Sequence, residues 1–93
     1  MIYKYIRDEK RNPVGVAVVI KTGDSYRFGY SLCNPQEQFN RELGLRIATN
    51  RANLPTLQKD EALAPLVPDR RSKVLDTYCS LEIKASKYFK NPA

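Results

Sequence analysis

The chain has 93 residues, 42% of them apolar and 28% charged, a balance that excludes a disordered chain. Residues 1–93 make a single domain, and at this length only about 60–65% of the unfolded surface is hidden on folding. Sixteen Lys and Arg against ten Asp and Glu leave a net charge of +6, which favours anionic partners, while the lack of histidine removes the commonest general acid/base and zinc ligand.

In chain order, the first third predicts a β-meander. Ile2 to Arg7 alternates Tyr3 and Tyr5 against Ile2, Lys4 and Ile6, as a short strand does. The charged stretch from Asp8 to Asn12 ends at the breaker Pro13. Val14 to Lys21 is apolar on both faces, which suits a central strand. Thr22-Gly23-Asp24 is a hairpin turn, and Ser25 to Cys33 alternates again, with Tyr26, Phe28, Tyr30 and Leu32 facing one way.

A helix is then predicted to start at Asn34, with that residue as N-cap, Pro35 in the first turn and Glu37 completing a capping box. It runs to about Asn53 and stops before Pro55. Phe39, Leu43, Ile47 and Leu54 share one face, the expected core face, and Gly44 permits another backbone to approach closely. On the far side Leu45, Ala48 and Ala52 form a small apolar strip, expected to meet a second protomer or the second helix. Residues 54–68 read as irregular, with one helical turn around Asp60 to Ala64. A second amphipathic helix spans about Asp69 to Phe89, with Val74, Tyr78, Leu81, Ala85 and Tyr88 as its stripe and Lys73, Lys84 and Lys87 as a basic face. The fold class is α+β: a three-stranded antiparallel meander followed by two helices packed on one face, βββαα.

Several side chains invite a chemical reading. Pro68-Asp69 with Glu82-Ile83-Lys84 fits the loose spelling of metal-dependent nucleases. Both acids fall on one predicted helix, about 20 Å apart at about 1.5 Å per residue, too far to share an ion. Tyr26, Phe28 and Tyr30 read as core, with a base-stacking platform as the other reading. Arg46 and Arg51 flank the predicted apolar face of the first helix, and Asn50 falls within it. A guanidinium there can point its fork into a pocket while its stem packs, and a polar Asn there must find partners in protein or ligand. The free amides beside Asn34 offer an anion site, and Arg70 and Arg71 extend the basic surface at the second helix. Cys33 and Cys79 lack metal-ligand spacing. No signal peptide or membrane span is visible, so reduced thiols and a cytoplasmic location are expected.

The stretch Cys33 to Ala52, CNPQEQFNRELGLRIATNRA, resembles a segment of small bacteriophage accessory proteins. The shared pattern is met by Cys33, Pro35, Glu37, Phe39, Gly44, Ile47, Ala48 and Arg51, after a strand in which Gly29 to Cys33 also fits. Some phage proteins of this plan are similar to the Thoeris anti-defence sponges, which dimerise and sequester cyclic nucleotide signals without cleaving them. The resemblance implies a host-cell cytoplasmic setting and makes Arg51, Arg46 and Asn50 phosphate and base contacts.

The expectation is therefore a non-enzymatic homo-oligomer that sequesters an anionic nucleotide-type ligand. Its contacts would be Arg51, Arg46, Asn50, Asn34, Arg70 and Arg71, with no metal, cofactor, catalytic residue or membrane partner. A basic nucleic-acid-binding protein and an inhibitor of a host protein are the alternatives.

Overall fold

The computed structural model describes residues 1–23, 25–33, 37–53 and 66–89. Strands β1 (Ile2–Arg7), β2 (Pro13–Thr22) and β3 (Ser25–Leu32) form one antiparallel sheet in the order β1-β2-β3. Two helices follow, α1 (Arg41–Ala52) and α2 (Pro68–Phe89). This is the expected βββαα chain order. The tight link between β2 and β3 has Gly23 at φ +62°, where a side chain would be strained. Between β1 and β2 the Asp8 carboxylate accepts from the amides of Lys10 and Asn12, each at 2.9 Å, and so holds the reversal.

The helices are not both on one face, as expected from sequence, but on opposite faces. Gly15 to Val19 of β2 are all buried, so each face of the central strand requires its own cover. Ala17 and Val19 point to α2, joining Ile2, Ile6, Tyr30, Val74, Tyr78, Leu81 and Ala85 in the larger core. Val16 and Val18 point the other way and meet Ala48 and Ala52 of α1. The continuous apolar run of β2 already contained this requirement. Residues of alternating direction cannot all be satisfied by a single layer.

Helix α1 also starts later than predicted and is turned differently. Its N-cap is Asn40, whose Oδ1 accepts from the Leu43 amide at 3.1 Å, and residues 37–40 are not helical. Asn34 and Pro35, the predicted start, lie outside the described residues, as do Leu54 and the turn expected around 60–64. Phe39 instead lies edge-on to Tyr5, ring centroids 5.8 Å apart.

The face against the sheet is Gly44, Ala48 and Ala52, with Leu45 packed beside them, whereas Leu43 is 44% exposed. Relative to the predicted orientation the helix is rotated by about a third of a turn. The strip expected to meet a second protomer or the second helix meets the chain's own sheet instead. Its cause is Gly29 in β3. A Cβ there would lie 2.5 Å from the Ala52 nitrogen and 2.9 Å from its Cβ, so only small residues can sit opposite. A Ser31 hydroxyl donating to the Gly44 carbonyl at 2.8 Å fastens the contact.

Candidate functional site

Rotation of α1 turns a mixed surface outward. Leu43, Arg46, Ile47 and Asn50 are spaced three and four apart and therefore share one side of the helix. Leu43, Arg46 and Asn50 are exposed and Ile47 is half-buried. At the N-terminal end of this patch is a cavity of about 100 Å³ whose lining includes Leu32, Cys33, Phe39, Leu43 and Ile47. The Cys33 thiol donates to the Glu37 carbonyl at 3.3 Å and holds the segment that forms its rim. Such a patch offers apolar surface for a ring, a guanidinium for an anion and an amide for a polar edge.

The basic residues divide by what their heads touch. Arg51 Nη1 donates to the Tyr30 carbonyl at 2.9 Å, and its guanidinium carbon lies 5.9 Å from the Tyr30 ring centre. Its fork thus wraps the outer edge of β3 rather than pointing into a pocket at the core boundary. Arg71 donates to the Leu66 carbonyl at 3.0 Å, Arg7 to that of Arg11 at 2.9 Å and Arg27 to that of Asn53 at 3.4 Å. These four arginines fasten edges and connections of their own chain. Arg41 is exposed, and a hydrogen bond with Tyr5 is the main cause of a guanidinium pKa above its ordinary value. Arg46 is exposed on α1 and adjoins the apolar patch.

The predicted site residues are therefore not brought together as one group. Arg46 and Asn50 share the outward side of α1, and Arg51 lies at the β3 edge. Arg70 and Arg71 stand in the first turn of α2, beneath the opposite face of the sheet. Arg70 is half-buried and lines a cleft with Lys10, Lys73, Asp8, Glu9 and Asp69, where both signs of charge are mixed. Asn34 lies outside the described residues. Sequence reasoning missed Leu43 and Ile47 as surface residues. The signal for them was the Gly44, Ala48, Ala52 spacing, every fourth position small.

Tyr26, Phe28 and Tyr30 pack under α2 rather than forming a free platform. Phe28 and Tyr30 contact the Tyr78 ring at 5.1 and 6.3 Å, and Tyr26 meets Phe89 at 5.9 Å. Burial pushes the Tyr78 phenol well above its ordinary value, with Tyr30 adding to the rise and Arg51 opposing it. Burial raises Tyr30 as well, again against the Arg51 charge. Asp69 and Glu82 are both exposed on the one helix α2, as their spacing required. Among the described residues no three His, Cys, Asp or Glu side chains are grouped to hold a metal. Among those residues, too, no helix is long and apolar enough to cross a membrane.

Comparison with protein-family models, with curated proteins and with solved structures found no match.

Proposed function

We propose that this protein binds and sequesters an anionic nucleotide-type ligand without cleaving it, as a phage-encoded anti-defence factor acting in the host cytoplasm. The observation that carries the reading is the outward patch of Leu43, Arg46, Ile47 and Asn50 on α1. A base ring rests on Leu43 and Ile47, Arg46 takes a phosphate as a charge-assisted bidentate pair, and Asn50 serves both donor and acceptor positions of a base edge. The resemblance of Cys33 to Ala52 to phage accessory segments supports the same reading.

One protomer supplies only part of the envelope. The cavity beside the patch is about 100 Å³, against roughly 300–1,000 Å³ for pockets that enclose small molecules. Two copies facing each other across the ligand would double the patch and place an Arg46 on each side of it, so the binding species in this proposal is a homodimer.

The test is incubation with a panel of cyclic and linear nucleotides, followed by native mass spectrometry of the complex and chromatography of the released ligand. The proposal expects one class of nucleotide to be retained on a dimer and recovered intact. Cleavage products, or retention of no nucleotide, would refute it. A second reading has its own observation: Lys84 and Lys87 are exposed on α2, and Lys4 bonds to Ser80 on the same helix side. Tracking of a nucleic-acid backbone by these lysines would show as an affinity that falls steeply with salt, where a nucleotide held at the α1 patch gives a shallow decline.

A further inference from the structure

The two ends of the sheet are finished differently. At β3 the Tyr30 carbonyl on the outer edge is taken by Arg51, and Arg27 of the same strand reaches across to Asn53. Strand β1 is the other end of the sheet, and no described residue pairs with its outer side. A strand paired on one side turns alternate N–H and C=O groups outward, a ready template for another extended chain. A groove of about 490 Å³ runs beside it, lined by Met1, Tyr3, Lys4, Tyr5, Lys84 and Tyr88. Tyr88 is 67% exposed and Met1 56%, although both are large and largely apolar.

We propose that the outer edge of β1 accepts an extended acidic segment of a partner protein, which adds to the sheet as a fourth strand. Charge decides the occupant. Among the described residues, Lys4 and Lys84 line the groove and no carboxylate does. The Lys4 ammonium is steered along α2 by its bond to the Ser80 hydroxyl, one helical turn before Lys84. A second copy pairing β1 on β1 would set both lysine sets against each other, a like-charge arrangement that opposes association. An acidic strand meets them instead. Its carboxylates on the α2 side face Lys4 and Lys84, while its alternate side chains lie against Tyr3 and Tyr5 on the α1 side. A single-stranded nucleic acid could satisfy the lysines, but it presents no repeating N–H and C=O row to match the strand edge. This surface is separate from the α1 patch and does not depend on what that patch binds.

The test uses a blocked peptide of the length of β1 that alternates valine with glutamate. Controls are its lysine-for-glutamate counterpart and an oligothymidylate, each titrated against the full chain while amide exchange is followed by NMR. The proposal expects the acidic peptide to bind and to slow exchange of the outward β1 amides. It expects Lys84→Glu, a change at an exposed helix position, to weaken binding by about tenfold. The lysine peptide should not bind. The proposal is overturned by failure of the acidic peptide, by equal binding of both peptides, by protection away from β1, or by oligothymidylate occupying these amides more tightly. Protection of β1 on self-association of the chain alone would also overturn it.

Discussion

Arg51 shows how a residue with a binding-site appearance can be held by its own fold. Its fork donates to the Tyr30 carbonyl on an edge that no described strand covers, so it replaces a sheet hydrogen bond. Lysine at this position keeps the charge but loses the planar fork. Arg51→Lys should therefore lower stability by about 0.5–1.5 kcal/mol in urea unfolding. Gly29 is less tolerant still. Gly29→Ala places a Cβ against α1 backbone and should cost about 1–3 kcal/mol by overpacking. A wild-type midpoint for that variant would show that α1 does not approach β3 this closely. At the α2 face, the raised pKa values of Tyr30 and Tyr78 fix the direction of the alkaline response. In the folded state both phenols hold their protons to higher pH than in the unfolded chain. The stability they contribute is complete below about pH 10, the unfolded value, and is lost as pH rises through the folded values. Urea midpoints measured on either side of about pH 10 should fall, and Tyr78→Phe should make that fall smaller.

At the scale of elements, the three strands and α2 were legible because their patterns are strong. Tyr26, Phe28, Tyr30 and Leu32 alternate without interruption, and Val74, Tyr78, Leu81 and Ala85 fall at helical spacing. Tyr88 extends that spacing but is exposed, lining the groove beside β1 rather than the core. The bounds and the turn of α1 were less legible. Two asparagines can cap it, and Pro35 favoured the earlier one, while the observed cap is Asn40. Hydrophobicity weights Leu43 and Ile47 above Gly44, Ala48 and Ala52, but the close approach at Gly29 selects for size, so the smaller residues face inward. This orientation makes opposite demands on neighbouring positions. Leu43→Ala should change stability by less than about 1 kcal/mol, whereas Leu81→Ala, fully buried under the sheet, should cost about 2–5 kcal/mol. Comparable losses at the two leucines would mean that α1 presents its larger side chains to the core.

At the scale of the whole molecule, the described residues place one helix on each face of the sheet, and the outer side of α1 and the edge of β1 are its distinctive surfaces. The candidate site was legible in part: Arg46 and Asn50 were singled out because they stand beside apolar residues of α1. Their separation from Arg51, Arg70 and Arg71 was not legible, because it depends on which face of the sheet each helix takes. Four arginines donate to carbonyls of the chain itself, which commits donors of their forks while leaving their charges in place. The central claim, that the α1 patch holds a nucleotide through Arg46, is tested most directly by calorimetric titration of Arg46→Ala and wild type with the retained nucleotide. The melting temperature of each is recorded in the same buffer. Loss of one charge-assisted pair predicts an affinity about 10- to 150-fold weaker with an unchanged melting temperature. Wild-type affinity in Arg46→Ala would contradict the account and remove the α1 patch as the binding site.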